Sequence, residues 1–168
     1  MASPPGSIPL LGGLDLRHTG PRDMPFLLDL FREARPWLAW ADLDRDAIQA
    51  LYEQQYRAMR AGQESLYPEH LDFVVERTGQ AVGRLIVDLG YADWRVSELQ
   101  IVAAARGKGI GSSVIRSLQQ AAGSQRMPIT LSTPMFGSDG RAVYERLDFR
   151  VTAVRPPHYD MAWSPTRS

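Results

Sequence analysis

Residues 98–111 read Glu-Leu-Gln-Ile-Val-Ala-Ala-Ala-Arg-Gly-Lys-Gly-Ile-Gly, an apolar segment running into a loop with a glycine at 107, 109 and 111. The apolar part belongs to a strand predicted over Trp94 to Ala103. Beyond the loop, Ile110, Val114, Leu118 and Ala121 recur at helical spacing, so a helix is predicted from Gly109 to Ala122, with Gly123 closing it. A strand that feeds a glycine-rich loop into a helix N-terminus makes an anion site. The first-turn N–H groups lack intrahelical acceptors, and the helix dipole favours negative charge. Alternating glycines let the backbone approach phosphate oxygens with no Cβ in the way. Arg106 and Lys108 add positive charge at the rim. A plain turn needs at most one glycine. A nucleoside-triphosphate loop needs Gly-Lys-Ser/Thr, whereas Gly109 follows Lys108, and Val102 stands at the upstream glycine position. The dinucleotide fingerprint G-x-G-x-x-G is missed too, since this loop is G-x-G-x-G and comes late in the chain.

Around this segment the chain alternates strands and helices. Leu14 to His18 is a predicted strand. Asp23 is an expected N-cap ahead of Pro25, and Phe26, Leu27, Leu30 and Phe31 share a helical face that Pro36 ends. A second helix is predicted from Asp44 to Ala61, with Gly62 as its stop. Tyr52, Tyr56 and Met59 on it are explained by core packing. Leu71–Arg77 and Ala81–Leu89 flank Thr78-Gly79-Gln80 as a hairpin. Pro128–Thr133 is a short strand and Asp139–Leu147 a short helix. Phe149–Val154 and Tyr159–Trp163 form a last hairpin. The fold class is mixed α/β: one central, mostly antiparallel sheet flanked by helices. Residues 1–12 are expected to be a disordered lead-in, 13–164 a single domain and 165–168 a tail.

Composition narrows the function. Apolar residues are 44% and charged residues 23%, with 19 basic and 19 acidic side chains. A nucleic-acid binder usually carries a basic excess, which is absent. No apolar run is long enough to span a bilayer, and residues 1–9 lack the features of a secretory signal, so a cytoplasmic location is expected. There is no cysteine. That excludes disulfides, thiolate zinc sites and a cysteine nucleophile. His18, His70 and His158 have no ligand spacing, so no metal is expected.

Arg-x-x-Gly-x-Gly at 106–111, entering a helix, resembles the signature loop of the GNAT superfamily of acetyl-coenzyme A-dependent N-acetyltransferases. Tyr144-Glu145-Arg146-Leu147-Asp148-Phe149 is similar to that family's late Tyr-Glu-x-Leu-Gly-Phe stretch. Arg17 with Asp23 resembles its opening strand and helix, and Val82-Gly83-Arg84-Leu85 the strand before the cofactor strand. The likeness runs from Leu14 to Trp163. It implies a GNAT-like fold and acetyl-coenzyme A as co-substrate. It further implies that Ile101, Val102 and Ala103 pair with the pantetheine arm. Arg106, Gly107, Lys108, Gly109, Ile110, Gly111 and Ser112 are the implied pyrophosphate site. Tyr144 matches the tyrosine that protonates the departing thiolate, and its alternative is a core tyrosine beside Val143 and Leu147. Three positions depart from the family pattern: Gly137 for a frequent asparagine, Asp148 for glycine, and Ser132 for a frequent glutamate.

With Ser132 in that place, the general base must come from elsewhere. The candidates are Glu98, Asp93, Asp148 and the histidines His18, His70 and His158. Glu98 lies on the cofactor strand, on the face opposite Leu99 and Ile101. It serves either as the base or as a structural carboxylate. Without cysteine, transfer is direct, from thioester to amine in a ternary complex. The expected acceptor is a primary amine of a small molecule or peptide, and the protein a monomer or homodimer. Arg35, Trp37, Trp40, Tyr52 and Tyr56 are candidate acceptor-side residues. Arg35 reads either as a carboxylate holder or as a solvated cation at a helix end. Two other classes stay open: a non-catalytic acyl-coenzyme A sensor, and an unrelated phosphate-ligand binder.

Overall fold

The structure is a computed structural model that describes residues 6–166. Its strands are β1 (Ile8–Pro9), β2 (Leu14–His18), β3 (Leu71–Arg77), β4 (Gln80–Leu89), β5 (Trp94–Ile101), β6 (Ile129–Pro134), β7 (Arg150–Arg155) and β8 (His158–Trp163). Its α-helices are α1 (Met24–Ala34), α2 (Arg45–Leu66), α3 (Ile110–Ser124) and α4 (Gly140–Arg146). The strands form one sheet in the order β1-β2-β3-β4-β5-β6-β8-β7. Every pair is antiparallel except β5 and β6. Those two pair in parallel only at Trp94–Ile129 and Arg95–Thr130, and then separate. This split positions the site, because it leaves one edge of β5 unpaired from Val96 onward.

Side-chain alternation assigns the two faces. Leu85, Val87, Trp94, Val96 and the α3 residues Ile110, Val114, Ile115 and Leu118 form the main core. On the other face Gln100 donates to the Leu30 carbonyl of α1 at 2.6 Å, and Gln63 of α2 donates to Ser97 Oγ at 3.1 Å. Leu27 and Phe31 of α1 pack there with Tyr52 and Tyr56 of α2 as a second cluster. Ile86 opposes Glu98 and Val87 opposes Val96, so Ser97 is the extra residue of a β-bulge. The bulge moves the alternation by one. Leu99 and Ile101 therefore join Val96 on the α3 side, while Glu98 and Gln100 face α1 and α2.

Local chemistry accounts for the boundaries. Thr78 and Gly79 have φ of 50° and 78°, a two-residue hairpin turn with both central residues left-handed, so β4 starts one residue earlier than expected, at Gln80. Asp44 caps α2 by accepting from the Ala47 amide at 2.8 Å. Asp23 does not cap α1. Its carboxylate takes two hydrogen bonds from Arg17, at 2.7 and 2.9 Å, and one from the Gly20 amide at 2.7 Å. Gly62 does not stop α2, which runs four residues further. Gln63, held to Ser97, and the Tyr67 amide bonded to the Gln63 carbonyl keep the chain helical there, and Pro68 follows. Gly123 does not close α3 either. Arg126 takes the left-handed position at φ 57°, with its amide on Gly123 and that of Met127 on Ala122. The expected lead-in is ordered from β1 on: Ile8 and Pro9 pair with Leu16 and Asp15, and the Leu11 amide bonds Ser117 Oγ at 3.0 Å. Residues 1–5 of that lead-in, and 167–168 of the tail, lie outside the described residues.

Candidate active site

After Ile101 the chain makes a short 3-10 turn, Ala103–Ala105, and then the glycine loop. Gly107 and Gly109 take φ of 77° and 74°, where a side chain is strained, and Gly109 is the N-cap of α3. The first bond of the helix runs from the Ser113 amide to the Gly109 carbonyl at 3.0 Å. The amides of Ile110, Gly111 and Ser112 are therefore left without helical acceptors, and Gly109 has no side chain to cap them. They border a cleft of about 570 Å³, walled also by Leu99, Ile101, Tyr144 and the loop Gly137–Gly140. A Cβ at 107 or 109 would meet nothing within 4 Å. The chain path, and the space kept for an anion, require glycine there rather than protein neighbours. Arg106 borders the cleft and donates from Nε to the Ile101 carbonyl at 3.1 Å; Lys108 does not line it.

The free edge of β5 differs in part from what the sequence implied. The Val102 amide donates to Val82 at 2.9 Å, and the Ala103 amide to Glu33 Oε2 of α1 at 3.0 Å. Neither residue borders the cleft. Since Val102 faces β4, alternation turns the backbone of Ile101 and Leu99 toward the split. Sequence marks Ile101 but not Leu99, because the alternate residues that share an edge are fixed only once β4 takes the Val102 amide. The loop Gly137–Gly140 was also missed; the only signal was Gly137, whose φ of 69° lets the chain fold over the cleft.

Tyr144 is held by α4. That helix lies close on β6 because a Cβ at Gly140 would collide with the Thr133 hydroxyl. Its C-terminus closes on Asp148 at φ 69°, with the Asp148 amide bonded to Glu145 and that of Phe149 to Tyr144. Asp148 thus uses aspartate's tolerance for the left-handed region. The Tyr144 ring lies 5.5 Å from that of Phe149, and burial pushes its hydroxyl pKa up. It stays protonated at neutral pH and, among the described residues, has no hydrogen-bond partner.

Glu98 borders a second cavity of about 310 Å³, together with Tyr144 and Ser132. The two cavities share Leu99, Ser138, Gly140 and Tyr144 as walls, so they adjoin at the split. Burial raises the Glu98 pKa, the cations of Arg35 and Arg84 pull it back, and Asp72 adds to the rise. Arg84 is nearly inaccessible and paired in two-pronged fashion to Asp72, at 2.9 and 2.5 Å. Glu98 makes no hydrogen bond or ion pair among the described residues.

The other candidates lie elsewhere. Asp93 accepts from Thr130, His70 Nδ1 lies 2.7 Å from the Tyr67 carbonyl, and neither they, Asp148 nor His158 border the cavity of Glu98 and Tyr144. Ser132 does border it. Its hydroxyl bonds Asp160 at 2.7 Å and accepts from Arg95 at 2.9 Å. Tyr52 and Tyr56 are core residues, Trp37 and Trp40 are exposed. Arg35 is not a solvated helix-end cation: its guanidinium lies 3.9 Å over the Phe31 ring, and burial lowers its pKa.

Among the described residues, no helix is long and apolar enough to cross a membrane, and no group of three or more His, Cys, Asp or Glu side chains is arranged to hold a metal ion. The fold is similar to that of PaiA N-acetyltransferase from Thermoplasma acidophilum, solved with coenzyme A. The TM-score is 0.67 at 13% identity, over 90% of this chain and 98% of that one. It is also similar to spermidine N-acetyltransferase from Vibrio cholerae, solved with coenzyme A and spermine, with TM-score 0.60 at 18% identity over 90% and 95% of the two chains. An acetyltransferase from Thermus thermophilus matches with TM-score 0.64 at 19% identity, over 93% and 99%. No protein of curated function matches the sequence. The model of the acetyltransferase (GNAT) family matches residues 26–149, most of the chain. With three free helix amides at the mouth of a split sheet, this chain belongs to the GNAT family of acetyltransferases, and acetyl-coenzyme A is its co-substrate.

Proposed function

We propose that this protein is an N-acetyltransferase that acetylates a primary amine of a small molecule or peptide by direct transfer, with Glu98 as general base and Tyr144 as general acid. The observation that carries this reading is that Glu98 and Tyr144 border one cavity, which adjoins the cofactor cleft across Leu99 and Tyr144. Acetyl-coenzyme A supplies an acetyl group activated as a thioester. The amides of Ile110, Gly111 and Ser112 hold its pyrophosphate, and Arg106 adds charge at the rim. The unpaired β5 edge at Leu99 and Ile101 offers backbone groups to the pantetheine arm, and a Leu99 amide suits a developing oxyanion. An amine of pKa about 10.4 is protonated at neutral pH and cannot attack a thioester. Glu98, unpaired and with a raised pKa, takes that proton. Tyr144, held neutral, gives its proton to the leaving sulfur.

The test is the pH profile of kcat/KM with the best acceptor. The wild type is expected to show a rising limb set by a group titrating above the ordinary glutamate value of 4.5. Glu98→Gln should remove that limb and lower kcat/KM by about 10²–10⁴. A folded Glu98→Gln enzyme with wild-type kcat/KM across about pH 6–9 overturns the assignment, because solvent would then be removing the proton. Coenzyme A binding by the wild type, with no thiol release for any amine, favours the sensor reading instead.

A further inference from the structure

The sheet register sets two carboxylates around one cation. Asp72 on β3 pairs across with Ile86 on β4, and Ile86 pairs with Glu98 on β5, so the three lie in one row across the strands. Arg84 stands in the next row, between Val74 and Gln100. It is a diagonal neighbour of both Asp72 and Glu98, a spacing of about 7–8 Å that a long side chain spans. These side chains share the α1 and α2 face. Gln100, two residues from Glu98, bonds the Leu30 carbonyl, and Arg84 Nη1 donates to the Tyr56 hydroxyl of α2 at 3.4 Å.

Arg84 is spent on one side only. Its Nε and Nη2 donate to the two Asp72 oxygens at 2.9 and 2.5 Å, and it makes no bond to Glu98, which is unpaired among the described residues. The forked pair, with Tyr56 as a third contact, holds the guanidinium toward β3. A buried ion pair is weak evidence for stability, since apolar side chains of similar volume often replace one without loss. Here the pair lies one strand from an unpaired carboxylate that borders the cavity of Tyr144.

We propose, resting on the reading of Glu98 as general base, that Asp72 and Arg84 are positioning residues for that base: Asp72 holds the guanidinium toward β3, so Arg84 acts on Glu98 through space and leaves its oxygens open to the incoming amine. A cation in contact with a carboxylate lowers its basicity and occupies its oxygens. Held one diagonal away, it favours the ionised form and covers nothing. The groups facing Glu98 act in the senses this requires. Burial raises its pKa, Arg35 at the end of α1 and Arg84 lower it, and Asp72 raises it. From α4 comes Tyr144, held protonated, and from β6 Ser132, whose hydroxyl is tied to Arg95 and Asp160.

The experiment follows the Glu98 titration in two ways, both with the cofactor present to stabilise the folded form. One is the pH profile of kcat/KM with the best amine acceptor. The other is NMR of the side-chain carboxyl carbons in glutamate-labelled, coenzyme A-loaded protein, with Glu98→Gln assigning the signal. Asp72→Asn leaves the Arg84 charge uncompensated, so the titration should move down by about 1 pH unit. Arg84→Gln leaves the Asp72 charge instead, so it should move up by about the same amount. The double variant leaves neither charge unpaired and should fall between the two. Opposite movements from the two halves of one ion pair do not arise from a shared loss of structure. Should one single variant fail to fold, the other decides by its own direction. A titration unmoved in a folded single variant, or moved the same way in both, overturns the proposal. The two readouts also separate this inference from the one it rests on. Resonances that move as stated, while Glu98→Gln keeps wild-type kcat/KM, overturn the base and leave the charge placement standing. A kinetic limb lost in Glu98→Gln but unmoved in Asp72→Asn and Arg84→Gln keeps the base and overturns the positioning role.

Discussion

Gly83 tests how tightly the cofactor strand is set. Gly83 on β4 sits opposite Ile101, where a Cβ would lie 2.5 Å from the Gln100 carbonyl oxygen and 2.8 Å from Ile101 Cδ1. Ordinary contact begins at 3.4 Å, so Gly83→Ala is short of room by 3.4 − 2.5 = 0.9 Å. The Ile101 methyl can swing aside, but the Gln100 carbonyl is backbone and moves only if β5 moves. Overpacking of this kind costs about 1–3 kcal/mol, or roughly 2–4 °C of Tm per kcal/mol for a chain of this size. The displaced residues carry the open edge at Leu99 and Ile101, so the KM for acetyl-coenzyme A should rise as well. Gly62→Ala is the matching control. Gly62 lies inside α2 with nothing within 4 Å of the added Cβ, so alanine should stabilise by about 0.5–1 kcal/mol. Denaturant unfolding of both variants, with KM measured on each, reads the outcome. A Gly83→Ala protein as stable as wild type, with an unchanged KM, would refute the close approach of β4 to β5.

Gly109→Val should abolish acetyl-coenzyme A binding by calorimetry with the fold retained, since the branched side chain would fill the open space proposed for the phosphate and meets no protein atom there, its φ of 74° adding only local strain; normal binding would remove the loop from the site. Tyr144→Phe should keep cofactor affinity and lower turnover by about 10²–10⁴, and unchanged turnover would return Tyr144 to packing beside Phe149. Asp72→Asn strips the carboxylate from a guanidinium whose side chain is only 4% exposed. It should cost about 3–5 kcal/mol in denaturant unfolding, and a loss below about 1 kcal/mol would mean that solvent compensates Arg84.

The cofactor half of the site was legible because its chemistry is local. Gly107, Gly109 and Gly111 act through backbone conformation and free amides within one loop, so spacing alone reveals them. Tyr144 was legible through a contiguous stretch that ends on Asp148. The β5 edge was only half legible, because the choice between Leu99 and Val102 depends on which backbone groups β4 consumes. The bulge at Ser97 is a pairing event with no residue signature, though it decides that Ser97 and Glu98 both face α1 and α2. Nothing in the sequence marks Arg35 as packed on Phe31 with Nη1 buried, because that contact depends on how α1 ends. The helix ends failed for the same reason. Gly62, Gly123 and Asp23 are ordinary stop and cap residues: Gly62 was overruled by the long-range contact of Gln63 with Ser97, Gly123 by Arg126 in the left-handed region, and Asp23 by its bonds to Arg17 and Gly20.

In the proposed mechanism, the Ser132 departure shifts the general base to Glu98. Where a glutamate on β6 is common in the family, this chain has a hydroxyl tied between Arg95 and Asp160, and that network is satisfied internally. A satisfied network has no reason to take a proton from an incoming amine. Glu98 has the opposite character: it is unpaired, and burial raises its pKa while the Arg35 and Arg84 cations pull it back. These opposing effects suit a base, which must be largely ionised at working pH yet basic enough to accept a proton.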